Sequence, residues 1–292
     1  MDILSYVFHL LIILAIYLVL ALSANLSLGF GGLFNLAFSG FALIGGYMSA
    51  LFMLQLKIPF TVAFVLSLFF GYIIGWLMSA ITSKLKGDYL ALTTFGFGFV
   101  VFTIALNWEK LTRGALGLPG IPKPNLGFLQ INNLSQFLVL YGLIALISYL
   151  FIQKLIKSPI GRNIQGLRDN ELGILVLGKN SAKLKNLVLG LSGLFGALSG
   201  VLYVHYITYI DPYSFGLGDL IFILSAVFLG GLASNKGTFT GVLILVFIPE
   251  ALRFLPIPSA LIGPLRQIIY SLIIIVILWL KPKGIFGKID TE

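Results

Sequence analysis

The side chains that could bind a metal or move a proton are few: two histidines, ten acidic residues and no cysteine in 292 residues. A metal centre needs three or four ligands at suitable spacing, and no cluster of His, Asp and Glu supplies them. Without cysteine there is no disulfide, zinc thiolate site or iron–sulfur cluster. No Gly-x-Ser-x-Gly elbow marks a nucleophile, since Gly216-Leu217-Gly218 has no serine. We therefore expect no catalytic residue, no metal and no cofactor bound by this chain, with His9 and His205 structural or interfacial. Gly173-x-x-x-x-Gly178-Lys179 nearly spells a phosphate-binding loop. Asn180 stands where Ser or Thr would hold Mg²⁺, the inner residues Ile174 to Leu177 are apolar, and no strand-and-helix domain surrounds it. Nucleotide binding is rejected here, so any ATP used binds a separate subunit. Glu250 and Arg253, at i and i+3, can pair near a helix end. Charge at membrane depth is a functional hint, but this position favours a structural pair.

The elements that must position these residues are apolar. Hydrophobic residues make up 59% of the chain and charged ones 10%, with mean hydropathy +1.05; soluble proteins carry roughly 25% charge. This is an all-α, polytopic helical membrane protein in a lipid bilayer. Its net charge of +9 fits basic cytoplasmic loops rather than nucleic acid. The first 22 residues lack a basic start and a cleavage site, and read as a retained span.

Apolar runs predict spans at 3–22, 33–56, 59–81, 89–108, 137–155, 186–207 and 266–280, with a short hairpin at 220–232 and 238–252. That is about eight spans, or nine to ten if broken or re-entrant segments are included. Asn25, Ser27, Gly29, Gly31, Gly32 and Asn35 crowd the first junction. Irregular backbone at that depth must be buried in protein or line a wet cavity; alternatively the glycines only permit close helix packing. Gly31-Gly32-Leu33 is echoed by Gly230-Gly231-Leu232, and paired interruptions point to a transport site. Asn35, Ser39, Thr93 and Thr94 are the pathway-lining candidates. Against that stands hydrogen bonding of Ser and Thr to their own helix backbone.

The densest charge lies in Lys157–Lys185, midway between spans, with six of the 19 basic residues. Ser158-Pro159 halts the fifth span. Asp169 is expected to cap a helix from Asn170 to Leu177, with Glu171 favourable in its first turn and Gly178 at the C′ position. Such a helix is about 12 Å long. Apolar in the middle and charged at its ends, it can insert into a groove on a soluble partner, or lie in the lipid interface on basic anchors. With this loop cytoplasmic, the remaining basic flanks place the N-terminus outside.

Ser158-Pro159-Ile160-Gly161-Arg162, Arg168-Asp169-Asn170-Glu171 and Leu177-Gly178-Lys179-Asn180 resemble the ATPase-docking loop in permease subunits of branched-chain amino acid ABC importers. Gly31-Gly32-Leu33-Phe34-Asn35, Asn107-Trp108-Glu109, Gly117-Leu118-Pro119-Gly120, Asp211-Pro212, Leu229-Gly230-Gly231-Leu232 and Pro249-Glu250-Ala251-Leu252-Arg253 also match. The resemblance covers nearly the whole chain and is nearest the type with a long external loop. Relatives often carry small residues after the Glu of the docking loop, where this chain has Leu172, Ile174 and Leu175.

The resemblance implies the ABC importer permease fold: one transmembrane permease domain over 1–292, with an ATPase-docking loop at 157–185. It implies Arg162, Arg168, Asp169, Asn170, Glu171, Leu177 and Gly178 as docking residues. The implied partners are a sister permease, two cytoplasmic ATPases holding ATP and Mg²⁺, and an extracytoplasmic binding protein. Trp108 and Glu109 belong to an interfacial belt or contact that binding protein. The implied place is the inner membrane of a bacterial or archaeal cell, and the implied cargo is Leu, Ile or Val. Urea or a short amide is the alternative cargo. An ATP-independent channel or carrier is the alternative class, but 3–56 lacks the acidic residues that ion coupling needs.

Overall fold

A computed structural model describes residues 3–85, 87–127, 130–248, 250, 259–281 and 283–287. Pro249, Ala251, Leu252 and Arg253, which enter the expectations above, lie outside those residues. The helices are α1 (Ile3–Asn25), α2 (Phe38–Leu54), α3 (Phe60–Thr82), α4 (Gly87–Asn107), α5 (Glu109–Thr112), α6 (Leu134–Lys157), α7 (Pro159–Asp169), α8 (Glu171–Val176), α9 (Ser181–Ile207), α10 (Leu217–Gly230), α11 (Asn235–Phe247) and α12 (Ser259–Leu280). Among the described residues, six helical segments are long and apolar enough to cross a membrane, and three shorter apolar helices accompany them. The protein is a multi-pass membrane protein. Among the described residues, strand is confined to a two-residue antiparallel pairing of β1 (Leu118–Pro119) with β2 (Tyr209–Ile210). It ties the long loop before α6 to the exit of α9.

α9 is the central post, packed on α3, α2 and α1. Small residues permit the approach. A Cβ on Gly75 would lie 2.2 Å from the Leu189 carbonyl oxygen, and one on Gly200 would lie 1.8 Å from that of Ala42. Such backbone-to-backbone packing replaces the hydrophobic drive that is missing between helices in lipid. α1 and α9 are largely buried, whereas α4 buries only Leu90, Thr94 and Ala105.

Two interruptions break the helical pattern. α1 continues to Asn25, past the expected end at Leu22, and passes into a π-turn at Leu26–Phe30. Residues 32–36 are uncoiled, and the second span is helical only from Phe38 to Leu54 rather than over 33–56. Side chains satisfy the freed backbone: Leu36 N–H donates to Thr94 Oγ1 at 3.0 Å, and Ala37 N–H donates to Asn35 Oδ1 at 2.9 Å. The second interruption follows α10, where Gly231 (φ 102°) and Ala233 (φ 58°) take left-handed backbone before Ser234 caps α11. α10 and α11 hold 14 and 13 residues, about 20 Å each against a hydrocarbon core of about 30 Å.

The interruptions touch. Asn25, fully buried, accepts the Ala233 N–H at 3.0 Å and donates to Thr238 Oγ1 at 2.8 Å. The Gly-Gly-Leu echo therefore marks two breaks in one contact, with Gly29 against Ala233.

At the other end of the bundle, His205 is buried between Ser49 Oγ and the Pro122 carbonyl, both at 2.7 Å, with Phe60 edge-on to its ring. His9 shares a 2.6 Å hydrogen bond with Tyr206. Both histidines serve packing. Glu250 pairs with Arg266 at 2.8 Å and accepts from the Tyr6 hydroxyl, tying α1 to α12.

Candidate functional site

Ser158 does two things. Its extended backbone ends α6, and its Oγ accepts from Gly161 N–H at 3.1 Å to start α7, with Pro159 at the first helical position. α7 is a helix the sequence reading did not anticipate. Its signal was present: a Ser-Pro start, then Gly161, Ile164 and Leu167 at threefold spacing, which are its buried residues. Ile164 joins Leu33, Leu90, Val188 and Leu189 in a small apolar cluster. That cluster connects α7 with the first interruption, α4 and α9.

Because α7 runs to Asp169, the expected cap shifts by one residue. Asn170, with extended backbone, caps α8 by accepting from Gly173 N–H at 3.0 Å, and Asp169 instead pairs with Arg168 at 2.7 Å. The short helix is Glu171–Val176 rather than 170–177. Its stop is as expected: Gly178, at φ 71°, donates to the Leu175 carbonyl while Lys179 N–H reaches that of Ile174. Glu171 contributes more than a helix-end charge. It pairs at 2.7 Å with buried Lys185, which also donates to the Ser83 carbonyl at 3.1 Å. One lysine thus fastens α8 to α9 and to the end of α3.

What remains outward is apolar. Leu172, Leu175, Val176 and Leu177 are 69%, 48%, 88% and 73% exposed, while Ile174 is buried against Gly166. Arg162, Asp169, Asn170, Leu177 and Gly178 also lie on the surface; Arg168 and Glu171 are partly buried and engaged within the chain. Of these apolar residues only Leu177 is among the docking residues implied by the resemblance. The lip is made mostly by Leu172, Leu175 and Val176, which a reading of the charged positions passes over.

Arg168 faces inward. Its Nη1 donates to the Gly29 carbonyl at 3.3 Å, and its stem covers Gly32, where a Cβ would lie 2.5 Å from Arg168 Cγ. Gly32 has φ 62° and is itself exposed, so the backbone there is left-handed and only the place of a Cβ is taken, by Arg168.

Between α2, α4 and the start of α10 lies a cavity of about 220 Å³ that is open at the surface, where Phe99, Tyr213 and Leu217 are exposed. Leu36, Ser39, Phe95, Phe99, Phe102 and Tyr213 are on its walls. Of the four pathway candidates, Ser39 alone lines it. Asn35 is buried beside Ser27 and Ser192 and holds the backbone of the interruption; Thr94 holds Leu36 and bonds back to Leu90. Thr93, on the exposed face of α4, donates to the Tyr89 carbonyl at 2.7 Å. The aromatic spacing Phe95, Phe99, Phe102 was the readable sign of this wall. Among the described residues no group of three or more His, Asp and Glu could hold a metal.

Comparison with known proteins places this geometry. A family model described as branched-chain amino acid transport system / permease component matches residues 6–278. The high-affinity branched-chain amino acid transport system permease protein LivM of Escherichia coli (strain K12) is 28% identical over 92% of this chain and 67% of its own. The protein of Methanocaldococcus jannaschii named "Probable branched-chain amino acid transport permease protein LivM" is 26% identical over 94% of this chain and 91% of its own. The ribose import permease protein RbsC of Escherichia coli (strain K12) is 35% identical over 35% of this chain and 33% of its own. No solved structure matches.

Proposed function

Since the chain belongs to the family of permease components of branched-chain amino acid transport systems, we propose that its α8 lip docks an ATPase and its aromatic cavity forms part of the path for Leu, Ile or Val. The chain is a permease subunit of an ABC importer for branched-chain amino acids. The observation that carries the docking assignment is the lip itself. Four apolar side chains face outward on a helix held from behind by Glu171–Lys185, by the Asn170 cap and by Ile174. Exposed apolar surface on a rigid, polar-rimmed mount suits a protein groove. ATP and Mg²⁺ belong to that partner, two copies of which would serve two permease chains.

The cavity suits the cargo. Its walls are aromatic and aliphatic with few hydroxyls, Ser39 and Tyr213 among them, and 220 Å³ is room for one branched aliphatic side chain and its backbone. α4 leaves Leu92, Phe99, Val100 and Ile104 exposed beside it. A sister permease packed on that face completes the wall. The loop carrying Trp108 and Glu109 is the side for an extracytoplasmic binding protein, in the cell membrane of a bacterium or archaeon.

Val176→Asp tests the docking assignment, because Val176 is the most exposed residue of the lip and touches little of its own chain. We expect retention of the ATPase subunits on the purified permease to fall by about tenfold or more, with the helical spectrum unchanged. Retention equal to that of the unaltered chain refutes the assignment.

A further inference from the structure

The docking segment and the first interruption meet at one side chain. Arg168 spends its guanidinium in two directions: Nε and Nη2 hold Asp169 at 2.7 Å, and Nη1 reaches the Gly29 carbonyl at 3.3 Å. Its side chain is 18% exposed, too little for a principal contact with a partner. Its stem occupies the space over Gly32 that any Cβ would need. Beyond this contact the chain of fixed neighbours runs two ways. Gly29 abuts Asn25 and Ala233, the clasp between the interruptions. Residues 32–36 lead to Leu36, which is held by Thr94 and lies on the cavity wall with Ser39. Ile164, one turn before Arg168, shares an apolar cluster with Leu33.

We propose that Arg168, seated over Gly32 and bonded to Gly29, is the positioning residue that carries movement of α7 into both interruptions and so to the cavity wall. This rests on the importer reading above. A movement is transmitted only by contacts that differ between two states. A rigid fork anchored on Asp169 at one side and on a carbonyl of the π-turn at the other is such a contact. Lysine cannot hold both ends at once. Gly32 admits the arginine stem because it has no side chain, so the pair acts as one unit.

The test uses the assembled importer in liposomes, with ATP-driven leucine uptake divided by the amount of ATPase retained. Arg168→Gln is expected to lower that ratio about tenfold, and Arg168→Lys to restore little of it. Gly32→Ala, whose methyl would meet the Arg168 stem, is expected to give the same loss and to add nothing in combination with Arg168→Gln. The proposal is overturned if Arg168→Gln lowers uptake only in proportion to ATPase lost, which would make Arg168 a docking contact. It is equally overturned if Gly32→Ala transports normally, or if the two losses multiply. Should Gly32→Ala fail to accumulate, the lysine variant decides, because full rescue by lysine would reduce the role to a point charge. An unaltered chain that retains no ATPase refutes the importer reading itself, a result distinct from all of these.

Discussion

At the scale of single residues, Asn25 does the most unusual work. It is a polar side chain, fully buried in an apolar helix, that satisfies a backbone N–H from a second interruption 208 positions away. Ala233 holds φ 58°, a conformation that β-carbon residues adopt at a cost, and the Asn25 carbonyl oxygen is what receives its N–H there. Removing the amide strands that donor where no water competes. Asn25→Ala is therefore expected to cost about 2–3 kcal/mol, read as a lower unfolding temperature of the detergent-solubilised protein. A variant as stable as the parent would mean that the turn at Ala233 stands without its clasp. Nothing in the local sequence around Asn25 announces this partner. Density of Gly and polar residues signals that a span is broken, but the contact that repairs the break is long-range and absent from any pattern of spacing.

At the scale of elements, hydropathy and punctuation located most ends of the long helices to within five residues, because each of these features acts locally; α12 begins at Ser259, seven residues before the expected 266. Pro59 precedes α3, Lys157 and Ser158 end α6, and Gly178 ends α8. The misses in the 157–185 segment share a cause: the ends of its short helices are set by tertiary contact. α7 starts at the Ser158-Pro159 that was read only as the end of the fifth span, and its Gly161 packs on the Leu155 and Ile156 carbonyls and its Gly166 on Ile174. The cap of α8 moved from Asp169 to Asn170 for the same reason, since α7 claims Asp169 as its last residue. Packing between long helices obeys the small-residue rule and yields a sharp contrast. Gly75→Leu would drive a branched side chain into the Leu189 backbone, whereas a Cβ at Gly142 meets nothing within 4 Å. We expect Gly75→Leu to destabilise by about 3 kcal/mol or more and Gly142→Ala to leave stability within about 0.5 kcal/mol. Thermal unfolding of the two variants side by side checks this, and equal behaviour would undo the account of the α3–α9 contact.

At the scale of the whole molecule, charge and contact agree on direction. Lys185 on Ser83, Arg168 on Gly29 and the Gly231–Gly284 contact gather at one end; His205 on Pro122 and Glu250 on Arg266 mark the other. Of the described basic residues, eleven lie toward the first end and five toward the second. By the rule that Lys and Arg stay on the cytoplasmic side, the first end is expected to face the cytoplasm. Tyr6 bonds to Glu250 and His9 to Tyr206, so α1 begins at the opposite end from α7 and α8. The absence of cysteine makes this directly measurable, since any introduced thiol is the only one. In intact cells a membrane-impermeant maleimide is expected to label Lys110→Cys and Ile3→Cys, and to label Lys179→Cys only after permeabilisation. All three positions are exposed. Labelling of Lys179→Cys from outside would invert the molecule and remove α8 from the reach of any cytoplasmic ATPase. Protection of Ile3→Cys alone would contradict the pairing of α1 with the Glu250–Arg266 end. The two interruptions would then have to face opposite sides of the membrane, which the Asn25 clasp between them does not allow.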